Sequence, residues 1–154
     1  MSRDDITALF AHRADAWTRH DADALARTHS EHAVAESPMQ GRLEGRTRIR
    51  EVYADWFRAF PDMTVTSRRL VINGNRAAEM FSVRGTQTAP FHGVPATARR
   101  VDFKSVFFYT IGADGLIDED ERIYDVTRVL VQLGLLKAKP STPDAPRAEV
   151  ERAP

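Results

Sequence analysis

Asp125 stands where an alternating run, Leu116 to Tyr124, hands over to a helical one that begins at Val126. A carboxylate at such a junction can meet the open end of a pocket. In apolar surroundings desolvation lifts its pKa from about 4 toward roughly 6 or 7, where a carboxyl group can take a proton from beside a carbonyl and give it back. The same position equally suits a helix N-cap, and the two roles are compatible. Such a base needs a partner for the developing oxyanion, and Arg84, Gln87, His92 and Tyr124 have suitable side chains. On a regular strand Arg84 shares a face with Met80 and Ser82. It either faces inward as a costly buried charge, marking a site, or lies in solvent, paired with Glu79 or Asp102. His92 sits in a loop bounded by proline and glycine, where it lines an entrance or is simply exposed. Glu36, between Ala35 and Ser37, offers a second carboxylate, with a surface position as the alternative. The run Asp118-Glu119-Asp120-Glu121 reads mainly as a solvated strand edge, because four unpaired acids cannot be buried together; Glu121, which shares the parity of Asp125, is the member that would turn inward. Trp17 and Trp56 lie on apolar helix faces, as core or as pocket wall.

Other chemistries find little support. There is no cysteine, so disulfides, thiolate metal sites and a cysteine nucleophile are excluded together. His29 and His32 stand three apart without an evident third ligand, and no metal is expected. The sequence has no glycine-rich phosphate loop, no Gly-x-Ser-x-Gly elbow and no dinucleotide fingerprint, so no cofactor is expected. Basic and acidic residues cancel, 22 against 22, leaving no field to gather nucleic acid or an anionic membrane. No apolar run approaches the roughly 20 residues that cross a bilayer, and the polar, acidic start lacks the pattern of a secretory signal, so a soluble, cytoplasmic protein is expected.

The elements that must position these side chains follow from periodicity. Ser2 and Asp5 form a helix start, and Ile6, Leu9, Phe10 and Trp17 recur on one face of a helix reaching about His20. Asp21 caps a shorter helix through Leu25 and His29. A short strand, Ala33 to Ser37, ends at Pro38, and a loop bracketed by Gly41 and Gly45 follows. Ile49, Val52, Tyr53, Trp56, Phe57 and Phe60 then mark a third helix, closed by Pro61. From Met63 the period becomes two. Asn73-Gly74-Asn75 turns a hairpin into Arg76 to Thr88, the chain resumes as a strand from Thr97 to Ile111, and Gly112 to Gly115 turns it into Leu116 to Tyr124. A last helical segment carries Val129, Leu130 and Leu133 and stops at Gly134. Residues 1–136 read as one α+β domain, and 137–154, with four of the eight prolines, as a disordered tail.

Several segments together resemble a known family. These are Trp17 with His20-Asp21, Ala59-Phe60-Pro61-Asp62, Gly85-Thr86-Gln87-Thr88, Phe91-His92-Gly93-Val94-Pro95-Ala96-Thr97, and Tyr124-Asp125 with Gln132-Leu133-Gly134. In this order, over about Phe10 to Leu136, the sequence resembles the SnoaL-like polyketide and ester cyclases of the nuclear transport factor two-like superfamily. The resemblance implies a strongly curved antiparallel sheet wrapped by N-terminal helices into a cone with an internal pocket, and a homodimer through the outer sheet face. It implies an apolar small-molecule substrate and cofactor-free acid–base chemistry, with Asp125 at the place of the acid and base and Trp17 on the pocket wall. The expected function is a cyclase or isomerase acting beside a carbonyl. The alternatives are a hydrolase or dehydratase of the epoxide hydrolase kind, with an Asp and Arg pair formed by Arg84 or Arg122 near Asp125, and a non-catalytic binding protein. Gln87 stands where the family often has histidine, Ala89 replaces a glycine, and Glu121 replaces a common aromatic residue.

Overall fold

The computed structural model describes residues 2–137, so the proline-rich tail expected over 137–154 lies, but for Lys137, outside the described residues. Four helices and six strands follow in the order α1 (Arg3–Thr18), α2 (Ala22–Arg27), β1 (His29–Ser37), β2 (Gly41–Glu44), α3 (Arg46–Ala59), β3 (Thr64–Asn73), β4 (Arg76–Thr86), β5 (Arg100–Ile111), β6 (Ile117–Tyr124) and α4 (Val126–Gln132). The Ser2 capping box starts α1, Asp21 caps α2, and Asp125 caps α4 by accepting from the Arg128 amide. Gly74, at φ 58°, supplies the left-handed residue of the β3–β4 turn.

The strands form one open sheet in the order β2-β1-β6-β5-β4-β3. Every neighbouring pair is antiparallel except β1 and β6, which run parallel, so the sheet is mixed rather than wholly antiparallel as expected. That pairing joins residues some 90 positions apart through His29↔Ile117 and Val34↔Glu119, which no local pattern encodes. β2 is a second difference. Gly41 to Glu44 was expected to be loop, yet Leu43 is buried opposite Ala35 and draws this short edge strand into the sheet.

α1, α2 and α3 cover the concave face. Ile6, Phe10 and Trp17 of α1 and Ile49, Val52, Tyr53 and Phe57 of α3 are buried against Phe81, Val83, Phe103, Phe107 and Tyr109 of the central strands. Burying side chains of this size is the main favourable term, at roughly 1.5–3 kcal/mol each. The core is markedly aromatic, with Trp17 edge-on to Tyr53 at 5.2 Å and to Phe57 at 5.6 Å between ring centroids.

Candidate active site

A pocket of about 430 Å³, mouth included, opens between α1, α3 and the concave sheet face. Its walls are aromatic and aliphatic, from Trp17, Tyr53, Trp56, Phe81, Phe103 and Phe107 with Met63, Val65 and Val83. Ser37, Gln40 and Tyr124 are polar members, and among the described residues Arg122 is the one charged residue in the lining, with no carboxylate or imidazole beside it.

Behind that wall lies a buried polar cluster. Strand alternation turns Asp120, Arg122 and Tyr124 of β6 toward the concave side. On α1, Arg13 lies three residues after Phe10 and four before Trp17, so the helix carries it onto the same buried face. Asp120 Oδ2 accepts from Arg122 Nε at 3.1 Å and Nη2 at 2.9 Å, and His29 Nε2 lies 3.4 Å from the same oxygen. The Tyr53 phenol accepts from Arg13 Nη2 at 3.2 Å and from Arg122 Nη2 at 3.3 Å. Arg13 also donates to Tyr109 at 3.4 Å and to Thr28. The Arg122 guanidinium lies over the Tyr53 and Phe107 rings, 4.9 and 5.1 Å from their centroids.

The electrostatics of this cluster are decided by competition. Burial works to raise the Asp120 pKa, but Arg122, His29 and Arg13 outweigh it and hold the carboxyl down at about 2. Both guanidiniums stay charged, because the phenols and Asp120 overcome their desolvation. Burial pushes His29 below the ordinary imidazole range, although the Asp120 carboxylate 3.4 Å away works against it. Tyr109 and Tyr124 are pushed up, in both cases chiefly by burial. Glu79 on β4 also faces inward, and burial lifts its carboxyl above the usual range.

This arrangement can do one kind of chemistry well. Arg122 lines this largely apolar pocket, its Nη1 makes no hydrogen bond among the described residues, and Asp120 and the Tyr53 ring fix its guanidinium. A fixed donor in a dry site stabilises an oxygen that gains negative charge. Nearer the mouth, the Gln40 side chain bonds Ser37, reaches Tyr124 at 3.4 Å and meets His92 Nε2 at 3.0 Å, linking the β1–β2 turn to the loop after β4.

The sequence pattern of the SnoaL-like polyketide cyclases matches residues 8–133, most of the chain. The chain belongs to that family. Solved relatives share its architecture. TsrD from Streptomyces laurentii is 24% identical, with a TM-score of 0.77 over 88% of this chain and 99% of that one. IdmH from Streptomyces antibioticus, a proposed polyketide cyclase, is 26% identical, with a TM-score of 0.68 over 84% and 98% of the two chains. SalBIII, an epoxide hydrolase/cyclase-like enzyme with a role in pyran ring formation in the polyether salinomycin, is 21% identical, with a TM-score of 0.67 over 80% and 92%. Among curated proteins none matches.

In this SnoaL-like chain three of the expected site residues come together at the pocket: Trp17, Trp56 and Tyr124. The others stand elsewhere. Asp125 is exposed, caps α4, and borders a surface hollow with Asp102, Lys104 and Arg128, because β6 ends one residue earlier and its inward parity falls on even numbers. Glu121 therefore faces outward, and Asp120 takes the inward place expected of it. Glu36 is exposed and paired with Arg42 at 2.9 Å. Arg84 lies on the outer face, 3.0 Å from Asp102 directly across the sheet. Gln87 is fully buried but spends its amide within its own loop, on Thr97, Ala89 and Pro95. His92 is exposed and touches the pocket only through Gln40. His29 is buried on β1 while His32 is exposed, and among the described residues no three potential ligands gather around a metal position. Asp120, expected in a solvated strand edge, is instead fully buried because Arg122 and His29 receive it, and Arg13 and the inward meeting of Tyr53 and Arg122 were not expected. Two signals point to them: Arg13 interrupts an apolar helical face, and Tyr124, if inward, carries Arg122 and Asp120 with it.

Proposed function

We propose that the protein is a cofactor-independent acid–base enzyme, a cyclase or isomerase, acting on an apolar small molecule that carries carbonyl groups. The observation that carries this reading is Arg122, a buried guanidinium held by Asp120 and Tyr53 in the lining of an aromatic pocket. The apolar body of the ligand fills the space between Trp17, Trp56 and Phe103, and a carbonyl oxygen takes the Nη1 donor. Negative charge that develops on that oxygen as an enolate forms meets a fixed cation in low dielectric, which lowers the barrier to proton loss at the adjacent carbon. Membership of the SnoaL-like cyclases supports ring closure as the use of that enolate. A hydrolase built on an Asp and Arg pair is favoured less, because Asp120 lies behind Arg122, fully buried, where it activates no water in the pocket.

We also propose a second copy of this chain as partner, seated on the outer sheet face, where Val71, Phe108 and Ile123 are each about half exposed.

The test of the reaction uses benzoylacetone, a phenyl β-diketone, in deuterium oxide, with exchange at its central carbon followed by nuclear magnetic resonance. The purified protein should accelerate exchange, and Arg122→Lys, which keeps a charge but loses the planar fork, should reduce the acceleration about a hundredfold. Benzoylacetone bound without any acceleration would replace the enzyme by a binding protein. A folded Arg122→Lys variant with the full rate would remove Arg122 from the reaction.

A further inference from the structure

The two edges of the Arg122 guanidinium meet different surroundings. Nε and Nη2 face Asp120 along one edge of the planar group, and Nη2 also donates to the Tyr53 oxygen. Nη1 therefore lies on the edge that Asp120 does not occupy. Among the described residues, the side-chain polar atoms that are both closed off and without a partner are Arg13 Nε, Trp17 Nε1 and Asp120 Oδ1. Arg122 Nη1 has no partner either, yet it is not one of the closed-off atoms, so it keeps access to open space, and the open space that Arg122 lines is the pocket. Other polar groups of the lining are already engaged. Ser37 and Tyr124 bond Gln40, Gln40 meets His92, and Ser105 donates to the Ile123 carbonyl at 3.1 Å. The charges behind the wall do not balance. Arg13 and Arg122 face one ionised carboxylate, Asp120, while burial holds His29 toward its neutral form. Glu79, a further inward acid, bonds Ser67 and is shifted toward its protonated form. One positive charge is left without a counter-charge in a dry interior, where it acts strongly on any charge that enters.

We propose that this pocket is a receptor for apolar carboxylic acids in their ionised form, with the carboxylate on Arg122 Nη1 and the hydrocarbon body against the aromatic wall. A carboxylate that leaves water for an apolar site loses its hydration, and only a cation with free N–H groups repays that loss. Arg122 supplies both, and the entering charge neutralises the surplus of the cluster behind it. A neutral ligand of the same shape takes the hydrogen bond but leaves that surplus in place. The site suits a single small anionic group. One guanidinium nitrogen is free and the walls around it are aromatic and aliphatic, so a phosphate would set unpaired oxygens against apolar rings. The proposal rests on the acid–base reading only for the placement of the ligand in the pocket, not for its chemistry. An acid held on Nη1 stands where that reading puts the carbonyl oxygen, so it competes with the carbonyl compound and blocks its exchange.

The experiment compares 3-phenylpropanoate with 3-phenylpropanamide, its neutral counterpart of nearly the same shape, at neutral pH and physiological salt. Both tryptophans of the chain line the pocket, so their emission reports binding there. The acid should bind about thirtyfold more tightly than the amide. In the double variant Asp120→Asn with Arg122→Met, which removes the pair together and leaves no lone buried charge from it, that preference should disappear. Equal affinity of the wild type for acid and amide would overturn the proposal, and it needs no variant to fold. A preference that survives in the folded double variant would overturn the assignment to Arg122. Where the wild type accelerates benzoylacetone exchange, 3-phenylpropanoate should inhibit it competitively, and exchange that ignores a saturating concentration of the acid would overturn the shared position. A wild type that binds the acid with the expected preference but accelerates no exchange supports the receptor and brings down the acid–base reading alone.

Discussion

At the scale of single residues, Asp120 decides how the buried cluster responds to substitution and to pH. Removing its charge leaves two guanidiniums without their carboxylate in a dry site, so Asp120→Asn should destabilise the fold by about 3–5 kcal/mol, measured by urea unfolding. Replacing Asp120 and Arg122 together by Asn and Met should recover part of that loss, because the buried pair is desolvated on both sides. The signs of the pH terms can be worked out one by one. Asp120 is held at about 2 against an ordinary 3.8, so its contribution is present above 3.8 and is lost as pH falls toward 2. His29 is shifted down from 6.5, which means that the unfolded chain takes up a proton that the folded one refuses. Its contribution is intact above 6.5 and declines as pH drops below that value. The urea midpoint should therefore fall in two stages on acidification, and His29→Gln should remove the upper one. Glu79 has the opposite sign, since burial favours its protonated form and its charge opposes folding at neutral pH. Glu79→Gln should raise the neutral-pH Tm, and the gap to the wild type should close in acid.

The elements explain which parts of this could be read in advance. Asp125 ends β6 and begins α4, accepting from the Arg128 amide at 2.9 Å. Asp125→Ala should cost about 1 kcal/mol of stability and Asp125→Asn almost nothing, with benzoylacetone exchange unchanged in both; a loss of exchange in a folded Asp125→Asn protein would return this carboxylate to the site. The helices were legible because their signals are local, as in the apolar stripe of α3 from Ile49 to Phe57 and the caps at Ser2, Asp21 and Asp125. The β3–β4 hairpin was legible for the same reason, through Asn73-Gly74-Asn75. The facing of β6 was not. Asp118 to Glu121 offers acids at both parities, and the choice is made by neighbours distant in sequence: β1 pairing in parallel and Arg13 arriving from α1. Arg122 turns inward because the Tyr53 and Phe107 rings receive it there beside Asp120 of its own strand, and neither ring lies near it in sequence. Pocket walls, in contrast, are ordinary apolar faces, so Trp17, Trp56 and Tyr124 could be read from the sequence while the buried charges could not.

For the whole molecule, the outer sheet face poses the question that the pocket does not answer. Its register places Val71, Ala78 and Phe108 in one row across β3, β4 and β5, and Met80, Val106 and Ile123 in the next row across β4, β5 and β6. The two rows form a continuous apolar stripe in which Val71 is 53% exposed, Phe108 45% and Ile123 50%. A lone apolar side chain on a surface has no particular meaning, but adjacent rows on four strands form a patch of the kind that soluble proteins cover. Arg76 lies at one end beside Glu119 and Glu121, so both signs of charge border the stripe. A two-fold axis through the sheet can set each sign against its opposite while the apolar rows meet one another. The chain should therefore sediment as a dimer, at twice its 17.3 kDa, and Phe108→Glu should give a monomer. Phe108 points away from the concave side, so the monomer should keep its helical content and should bind benzoylacetone about as well as the parent. A wild type that sediments at 17.3 kDa at tens of micromolar would leave the stripe for another occupant, and a Phe108→Glu protein that stays dimeric would move the interface off this face.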